Sequence, residues 1–407
     1  MKRGFKLVDN DLGLVFIPSK IGNVEIPNRL VRSATYHGMA TEDGHVTDKL
    51  LKVYSNLARG GVGLAITGVS IIRNDGRQLA YMLGNYSDDY IEDLSKIAGI
   101  YHDTVNEVGN NSKIFLQIGH SGVQVTHWGW TGDLISSSPI ESDIVQKTAI
   151  PLSHEKILEI AESFGEATSR AKKAGFDGVQ YHGAHGYLIT QFYSPYMNGR
   201  DDDYGGSTEN RARFVLDLLN ASRKKVGNDF PICMKMNGSD RIKGGLTAME
   251  AAQLASIFAK SGFDMLEISS YIWDAGRLER PISLPPESQK DIRQRGLEAF
   301  NLNLAKEIKE YLKQDPSTNI PITLVGGLYR FETIRDIIDK EEIDLCAMSR
   351  PLIRQPDLPL IWKKGPPFPE AECIHCNLCM NDIIVKGSRS KGIRCIKKEK
   401  EERKKKK

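Results

Sequence analysis

The chain has 407 residues, of which 40% are hydrophobic and 8% aromatic, so it can bury a sizeable core and is not disordered as a whole. Its formal charge of +3 is unevenly placed, because Ile396–Lys407 carries eight basic and three acidic residues and leaves −2 for the rest. The body therefore lacks the basic footprint of a nucleic-acid-binding protein, and we expect the lysine-rich end to be a solvated, disordered terminus.

The sequence also indicates in which cellular compartment the protein is found. No apolar run reaches membrane-spanning length, and the N-terminal stretch lacks the apolar segment of a signal peptide. Of six cysteines, Cys233 and Cys346 lie in apolar runs and are predicted to be buried thiols, whereas four cluster near the C-terminus. Such clustering is typical of a metal or iron–sulfur site in a reducing compartment. We expect a cytoplasmic protein with no membrane or nucleic-acid partner; its oligomeric state, a homo-oligomer included, stays open.

Short apolar runs alternate with helical stretches along most of the chain. The predicted strands are Arg29–Ser33, Gly63–Thr67, Lys113–Ile118, Gly178–Tyr181, Ile232–Met236, Met265–Ser269, Ile322–Val325 and Asp344–Met348. Apolar residues at three- and four-residue spacing predict helices over Asp88–Val108, His154–Ala174 and Thr247–Ser261. This alternation favours an α/β protein with one closed (β/α)8 TIM barrel. An open doubly wound sheet is the alternative, and the missing Gly-x-Gly-x-x-Gly after the first strand weakens it.

Two long connections interrupt the alternation, and the pattern stops before the chain ends. His120–Leu152 and Trp273–Arg293 leave the carboxyl ends of the third and sixth strands, so we expect them to be lids or binding loops. Beyond Gly365 the barrel pattern gives way to cysteines. We therefore predict a barrel over residues 1–365 and a short cysteine-rich extension over residues 366–407.

Polar residues follow the strands where a barrel builds its site. The fourth strand leads directly into His182, His185 and Tyr187, which can hold a substrate oxygen and deliver a proton. Gly326-Gly327 follows the seventh strand and Ser349-Arg350 the eighth, which is the usual arrangement of a phosphate site in such barrels. A phosphate-bearing cofactor or substrate is predicted from this arrangement alone.

The run from His182 to Phe214, HGAHGYL…QF..SP..N.R.D.YGGS.ENR.RF, resembles the signature of the old yellow enzyme family of FMN-dependent oxidoreductases. Supporting segments are Pro27–Val31, Gly61–Leu64 and Gln117–Gly122, and the likeness extends from about Leu14 to Pro356. The resemblance implies a TIM barrel with FMN across the carboxyl ends of the strands.

The resemblance also implies roles for individual residues in binding FMN. Ala34, Thr35, Tyr36 and Val69 would line the flavin ring, Gln117 would bond the pyrimidine edge, Lys235 would lie beside N1 and O2, and Gly326, Gly327, Ser349 and Arg350 would hold the phosphate. The positive charge of Lys235, where the family often has arginine, would stabilise the anionic reduced flavin. Tyr36 replaces the cysteine that tethers the flavin of trimethylamine dehydrogenase, which implies a non-covalent flavin.

In the implied reaction, NADH or NADPH reduces FMN, which then passes a hydride to an activated alkene. His182 and His185 would bind the oxygen of the activating group, and Tyr187 would protonate the neighbouring carbon. The leading hypothesis is therefore an ene-reductase acting on a small-molecule substrate. The alternatives are a dienoyl-CoA-reductase-like or amine-oxidising flavoprotein with a separate electron partner, and a non-catalytic flavin or cluster redox carrier.

The C-terminal cysteines form the second motif, composed of Cys373, Cys376, Cys379 and Cys395. Three cysteines spaced by two residues and a distant fourth suit four thiolates around one inorganic centre. The family members 2,4-dienoyl-CoA reductase and trimethylamine dehydrogenase carry a four-iron cluster just after the barrel, followed by FAD- and nucleotide-binding domains. This chain ends at Lys407, and a 4Fe-4S cluster, a structural zinc and unliganded thiols all stay open.

Overall fold

The computed structural model describes residues 11–126, 132–142, 144–272, 292–386 and 392–405. Parallel strands β1 to β8 form the centre of the molecule: Leu30–Arg32, Leu64–Ile66, Lys113–Gly119, Gly178–Gly183, Ile232–Asn237, Leu266–Ser269, Ile322–Val325 and Leu345–Met348. Each lies on one of the predicted apolar runs, so all eight predicted strands are confirmed.

The strands close into a barrel. Each one pairs in parallel with the next, from β1 to β8, and β8 returns to β1 through Met348↔Arg32. The join between β3 and β4 includes Gly178↔Phe115. An open sheet would leave two unpaired edges, so the closed (β/α)8 prediction is confirmed and the doubly wound alternative is wrong.

Helices surround the barrel. In the described part of the chain, α1 to α12 are Asp48–Arg59, Tyr90–Val108, His154–Lys173, Leu188–Tyr193, Thr208–Val226, Ala248–Ser261, Leu302–Leu312, Phe331–Asp339, Arg350–Arg354, Leu358–Lys363, Leu378–Lys386 and Ile396–Lys405. Local chemistry explains several ends: a capping box of Thr247 and Glu250 begins α6, and Gly109 ends α2 in the left-handed conformation. None of the described helices is both long and apolar enough to cross a membrane.

Two short strands outside the barrel cover its amino end. Ser19–Ile21 and Val24–Ile26 form an antiparallel hairpin. Ile21 and Ile26 pack against Phe115, Cys233 and other residues near the amino ends of the barrel strands. The hairpin therefore shields this end of the barrel from water.

The two predicted lids differ in how much of them is described. Within His120–Leu152 the structure contains the short strands Ile135–Ser136, Glu141–Ser142, Lys147–Thr148 and Ile150–Pro151. Nearly all of Trp273–Arg293 lies outside the described residues. Cys233 and Cys346 are buried free thiols, as predicted.

The lysine-rich end differs from its prediction. Residues 396–405 form helix α12 instead of a disordered terminus. Glu401 accepts a hydrogen bond from Arg354 Nη2 at 2.7 Å, and Lys398 Nζ donates to the backbone oxygen of Arg354 at 3.0 Å. These contacts tie one face of the helix to the end of α9, which composition alone does not reveal.

Phe214 provides a test of the packing between α5 and the rest of the core. Its buried ring stacks on Phe192 with centroids 3.9 Å apart. We expect Phe214→Ala to lower the free energy of unfolding by about 3–5 kcal/mol, because the deletion leaves a cavity. Urea unfolding followed by circular dichroism measures the change. Leu158→Ala, at a side chain 47% exposed, is the control and should stay within about 0.5 kcal/mol of the parent; equal losses would contradict the packing.

Candidate active site

The histidine loop begins where β4 ends. His182 is the fifth of the six residues of β4 and is buried, and His185 follows in a left-handed conformation with φ of 66°. This backbone region is unusual for a residue other than glycine and needs support from its surroundings. Asn237, at the end of β5, supplies it by accepting the backbone N–H of His185 at 3.1 Å. The loop is therefore held by the neighbouring strand.

The two imidazoles are close together and neutral. Their ring centroids lie 5.3 Å apart in an edge-to-face arrangement. Burial lowers the pKa of His182 well below its ordinary value, with further lowering by His185 and Lys235. Burial, then Lys235, lowers the pKa of His185 to about 3. A neutral imidazole carries one N–H donor, so each ring can donate one hydrogen bond at neutral pH.

Partners differ between the two rings. His185 Nε2 lies 2.8 Å from the Ser269 hydroxyl at the end of β6. Among the described residues, the buried Nδ1 of His182 has no hydrogen-bond partner. A buried polar atom without a protein partner leaves a hydrogen-bonding position that a bound group can fill.

Tyr187 completes this cluster. Its ring centroid lies 4.5 Å from that of His182, and its hydroxyl donates to Gln78 Oε1. The phenol is thus held at the same end of the barrel as both histidines. The structure brings the three predicted catalytic residues together.

A buried polar network crosses the barrel interior beside them. Glu267 Oε1 accepts from Ser33 Oγ at 2.6 Å and forms an ion pair with Lys235 Nζ at 3.1 Å. Glu267 Oε2 accepts from Gln180 Nε2 at 2.8 Å, and Gln180 Oε1 accepts from Gln117 Nε2 at 2.7 Å. The network therefore joins two predicted cofactor residues, Gln117 and Lys235.

The loop after β1 meets the end of β8. Thr35 Oγ1 and Ser349 Oγ are 2.7 Å apart, and Arg32 donates to the Ser349 backbone oxygen. Ala34 is partly buried, and Tyr36 donates its hydroxyl to the Ala80 backbone oxygen. The predicted flavin-lining residues of this loop thus lie at the carboxyl edge.

Two further predicted positions flank the same edge. Val69 lies beside the histidine loop, because a Cβ on Gly119 would be 3.1 Å from both Val69 Cγ2 and His182 Cβ. Gly326 and Gly327 follow β7, next to β8, with φ of 143° and 75°. They leave bare backbone at the predicted phosphate position.

Arg350 directly follows Ser349 and contacts the C-terminal extension. Its Nη1 is 3.3 Å from Asn377 Oδ1, and the side chain lines a pocket with the cysteines of the extension. Burial lowers the pKa of Arg350, and the nearby Cys373, Cys379 and Cys376 thiols oppose that shift. In this structure the guanidinium faces the cysteines, although its neighbour Ser349 faces the barrel site.

The four predicted ligand cysteines line this one pocket: Cys373, Cys376, Cys379 and Cys395. Arg354 Nη1 lies 3.6 Å from Cys395 Sγ. Within the described residues, no three His, Cys, Asp or Glu side chains are arranged as a metal site. The thiols share a pocket without forming a closed ligand set, although four thiolates are the donor chemistry of iron–sulfur and zinc centres.

Comparison with known proteins agrees with this geometry. One family model matches residues 14–367 and describes the NADH:flavin oxidoreductase / NADH oxidase family. The chain belongs to this family. The resemblance to the old yellow enzyme family is thereby confirmed.

Two relatives in the family illustrate different lengths. The chain is 34% identical over 385 residues to an NADH oxidase of Thermoanaerobacter brockii, covering 94% of this chain and 55% of that protein. It is 33% identical over 344 residues to an NADPH dehydrogenase of Clostridium acetobutylicum, covering 84% of this chain and 92% of that protein. The chain thus spans about half the length of the first relative and most of the second.

Solved structures share the fold. A 2-naphthoyl-CoA reductase complex superposes with a TM-score of 0.77 at 24% identity, covering 92% of this chain and 55% of the other. An old yellow enzyme homologue from Zymomonas mobilis superposes with a TM-score of 0.70 at 23% identity, covering 88% of this chain and 94% of the other. At these identities the likeness concerns the fold alone.

The residues present fit the flavin that the family uses. A Cβ on Gly326 would lie 2.9 Å from Asn301 Nδ2, and one on Gly327 would lie 2.8 Å from the Leu297 backbone oxygen. Only bare backbone is accommodated there, as a phosphate cradle requires. The unpartnered Nδ1 of His182 offers a hydrogen-bonding position at the other side of the site.

Several polar residues of the site were not predicted from the sequence. Gln78, Asn237, Ser33, Gln180 and Glu267 all hold predicted site residues in place. Gln180 and Glu267 sit inside apolar strand runs, and a polar residue in a strand buried on both faces is a recognisable signal. Gln78 lies in a loop and has no comparable signal.

The lowered pKa of His185 predicts a pH dependence of stability. Between pH 6.5 and pH 3 the unfolded state binds a proton at this side chain and the folded state does not, so stability falls as pH falls. We expect the free energy of unfolding of His185→Asn, which tolerates the left-handed backbone, to fall by about 2–3 kcal/mol less than that of the parent between pH 7 and pH 4.5.

Urea unfolding at a series of pH values measures this difference. His154→Asn changes an exposed histidine and should retain the parent's pH dependence. Identical slopes for parent and His185→Asn would show that the imidazole is not held neutral.

Proposed function

We propose that the chain is an FMN-dependent NAD(P)H oxidoreductase that reduces activated C=C bonds of small molecules. The observation that carries this proposal is the cluster of two neutral imidazoles and a phenol at the end of β4 and on the loop that follows it. It supplies hydrogen-bond donors and a proton source at the carboxyl end of the barrel.

Several residues would hold FMN and set its surroundings. Gln117 would bond the pyrimidine edge, Lys235 would lie beside it, and Gly326, Gly327 and Ser349 would hold the phosphate through backbone N–H and hydroxyl groups. When bound, FMN supplies hydride chemistry, taking a hydride from NADH or NADPH and delivering one to the substrate. Ala34, Thr35, Tyr36 and Val69 would shape the surface on which the flavin ring rests.

His182 and His185 would bind the oxygen of the group that activates the alkene. Charge accumulates on that oxygen as the β-carbon is reduced, so N–H donors stabilise the transition state more than the bound substrate. Both imidazoles are already neutral and close together, which supports this role. Lys235 lies near enough to depress their pKa further and keep them neutral.

Tyr187 would protonate the carbon next to the activating group. A phenol is a weak acid and keeps its proton at neutral pH until a carbanion-like carbon forms beside it. Its hydroxyl donates to Gln78 in this structure, so an acceptor already orients the O–H bond. The hydrogen bond from Tyr187 to Gln78 would break when substrate enters, and the Tyr187 O–H could then face the substrate carbon.

The role of Tyr187 predicts a split between two half-reactions. In Tyr187→Phe we expect flavin reduction by NAD(P)H to keep its rate, whereas reoxidation by cyclohexenone slows by about 10²–10⁴-fold because the proton donor is lost. Stopped-flow absorbance of the flavin measures both steps. Tyr101→Phe removes a buried hydroxyl that bonds Ser112, outside the candidate site, and should change neither rate. Unchanged reoxidation in Tyr187→Phe would contradict the assignment.

A second candidate function follows from the cysteine pocket. Arg350, next to Ser349 in the chain, lines the pocket with four cysteines, so an inorganic centre there would adjoin the phosphate end of the flavin site. Such a centre would supply one-electron redox chemistry. This arrangement favours a dienoyl-CoA-reductase-like or amine-oxidising flavoprotein that uses a separate electron partner. Cys373, Cys376, Cys379 and Cys395 would hold a 4Fe-4S cluster, or alternatively zinc.

Metal analysis separates these alternatives. We expect anaerobically purified protein to contain about four iron atoms and four acid-labile sulfides per chain, because four thiolates suit one cubane cluster. Cys379→Ser should lose most of this iron, whereas Cys346→Ser, at a buried thiol of β8, should keep it. Zinc without sulfide would contradict the cluster and support a structural metal.

A further inference from the structure

Glu267 is a carboxylate buried inside the barrel. Its side chain, on β6, has no exposed surface. A buried carboxylate is retained only when its oxygens are well paired. The partners of Glu267 come from three other positions in the barrel: Ser33 after β1, Gln180 on β4 and Lys235 on β5. One side chain therefore connects strands that are not all adjacent.

The carboxylate determines the orientation of two amide groups. An ionised carboxylate only accepts hydrogen bonds, so Gln180 must face Glu267 with its Nε2. Gln180 Oε1 then faces Gln117, which must donate with its own Nε2. Gln117 Oε1 is consequently turned away from Gln180. A single charge thus decides, through two side chains, which end of the Gln117 amide is available to a ligand.

The same carboxylate restrains the charge of Lys235. The ammonium donates to Ser33 Oγ at 2.8 Å and lies 3.1 Å from Glu267 Oε1. Ser33 in turn donates to the same Glu267 oxygen, which closes a three-membered ring of contacts. The lysine is held in one position, and its positive charge is partly offset by a negative charge in a medium of low dielectric constant.

We propose that Glu267 is the positioning residue of the flavin site: through Gln180 it fixes the Gln117 amide, and by direct contact it moderates the charge of Lys235. This inference rests on the proposed function, because it assigns both effects to a bound flavin. The orientation of Gln117 sets how tightly the flavin binds. The charge of Glu267 opposes negative charge on the reduced flavin and keeps its reduction potential lower than Lys235 alone would set.

The charge effect is tested with FMN-loaded protein and the variant Glu267→Gln. Removal of the negative charge should make the flavin a better electron acceptor, so the dissociation constant of its sulfite adduct should fall about tenfold. The midpoint potential of the flavin should also become more positive, and a tenfold change in its two-electron equilibrium constant would correspond to about 30 mV. Glu250→Gln breaks the carboxylate contact to Arg211 outside the barrel and should leave both quantities unchanged.

The orientation effect is tested with Gln180→Leu, which carries no change of charge and remains informative even where Glu267→Gln does not fold. We expect FMN to bind about tenfold more weakly, with the sulfite constant of the bound flavin unchanged. In a Gln117→Leu background, Gln180→Leu should have no further effect on FMN affinity, because the relay is already cut. If Gln180 had a purely structural role, Gln180→Leu would weaken FMN binding in both the parent and the Gln117→Leu background.

The outcomes separate the inference from the function on which it rests. A parent protein that binds no FMN contradicts the proposed function and this inference with it. A parent that binds FMN, combined with an unchanged or weaker sulfite affinity in Glu267→Gln, contradicts the charge role alone. Unchanged FMN affinity in Gln180→Leu contradicts the orientation role alone.

Discussion

The return of β8 to β1 closes the ring of strands, and the site depends on this closure. Because the ring is closed, Ser33 after β1 and Glu267 on β6 face one interior and lie within 2.6 Å of each other. An open sheet would place these strands far apart. Closure also brings Thr35 against Ser349, so the loops that would surround a flavin come from both ends of the barrel sequence. The polar network is a consequence of topology as much as of residue type.

Support for the site comes from strands and from the C-terminal extension. Asn237 accepts a hydrogen bond from the strained backbone of His185. Because Asn237 lies at the end of β5, the sheet fixes its position. The loop after β1 is held differently, since the backbone N–H of Ile393 donates to the His37 oxygen at 2.7 Å. A Cβ on Gly392 would lie 2.4 Å from Met39 Cγ, so the extension approaches this loop closely. The extension therefore packs against the loop that carries Ala34, Thr35 and Tyr36.

The sequence predicted the barrel and the cluster of His182, His185 and Tyr187 because both leave a local signal. Apolar runs mark strands buried on both faces, and polar residues directly after them mark the carboxyl edge. Partners across the barrel leave no such signal: that Glu267 meets Ser33 and Lys235 depends on the ring. The direction of a long side chain is equally hidden. Arg350 faces the cysteine pocket because the extension folds back against it.

Two other features show where local reasoning ends. The amino-end hairpin has Gly22 and Asn23 between two short strands, and a Gly-Asn pair is a local signal for a two-residue turn. The helical end of the chain had no usable signal, because its lysine-rich composition is typical of a disordered segment. The ion pair between Arg354 and Glu401 depends on how α9 and α12 meet. Composition alone therefore does not predict that this segment forms a helix, because it carries no information about the contacts with α9.

Closure of the ring also sets the order of events while the chain is being made. Arg32 donates to the backbone oxygen of Ser349, 317 positions later, so β1 leaves the ribosome long before its partner exists. At a synthesis rate of about 5–20 residues per second, the edge of β1 waits roughly 15–60 s for β8. An unpaired strand edge is a template for wrong pairing. The nascent barrel therefore passes through a period in which the edge of β1 that faces β8 has no partner strand.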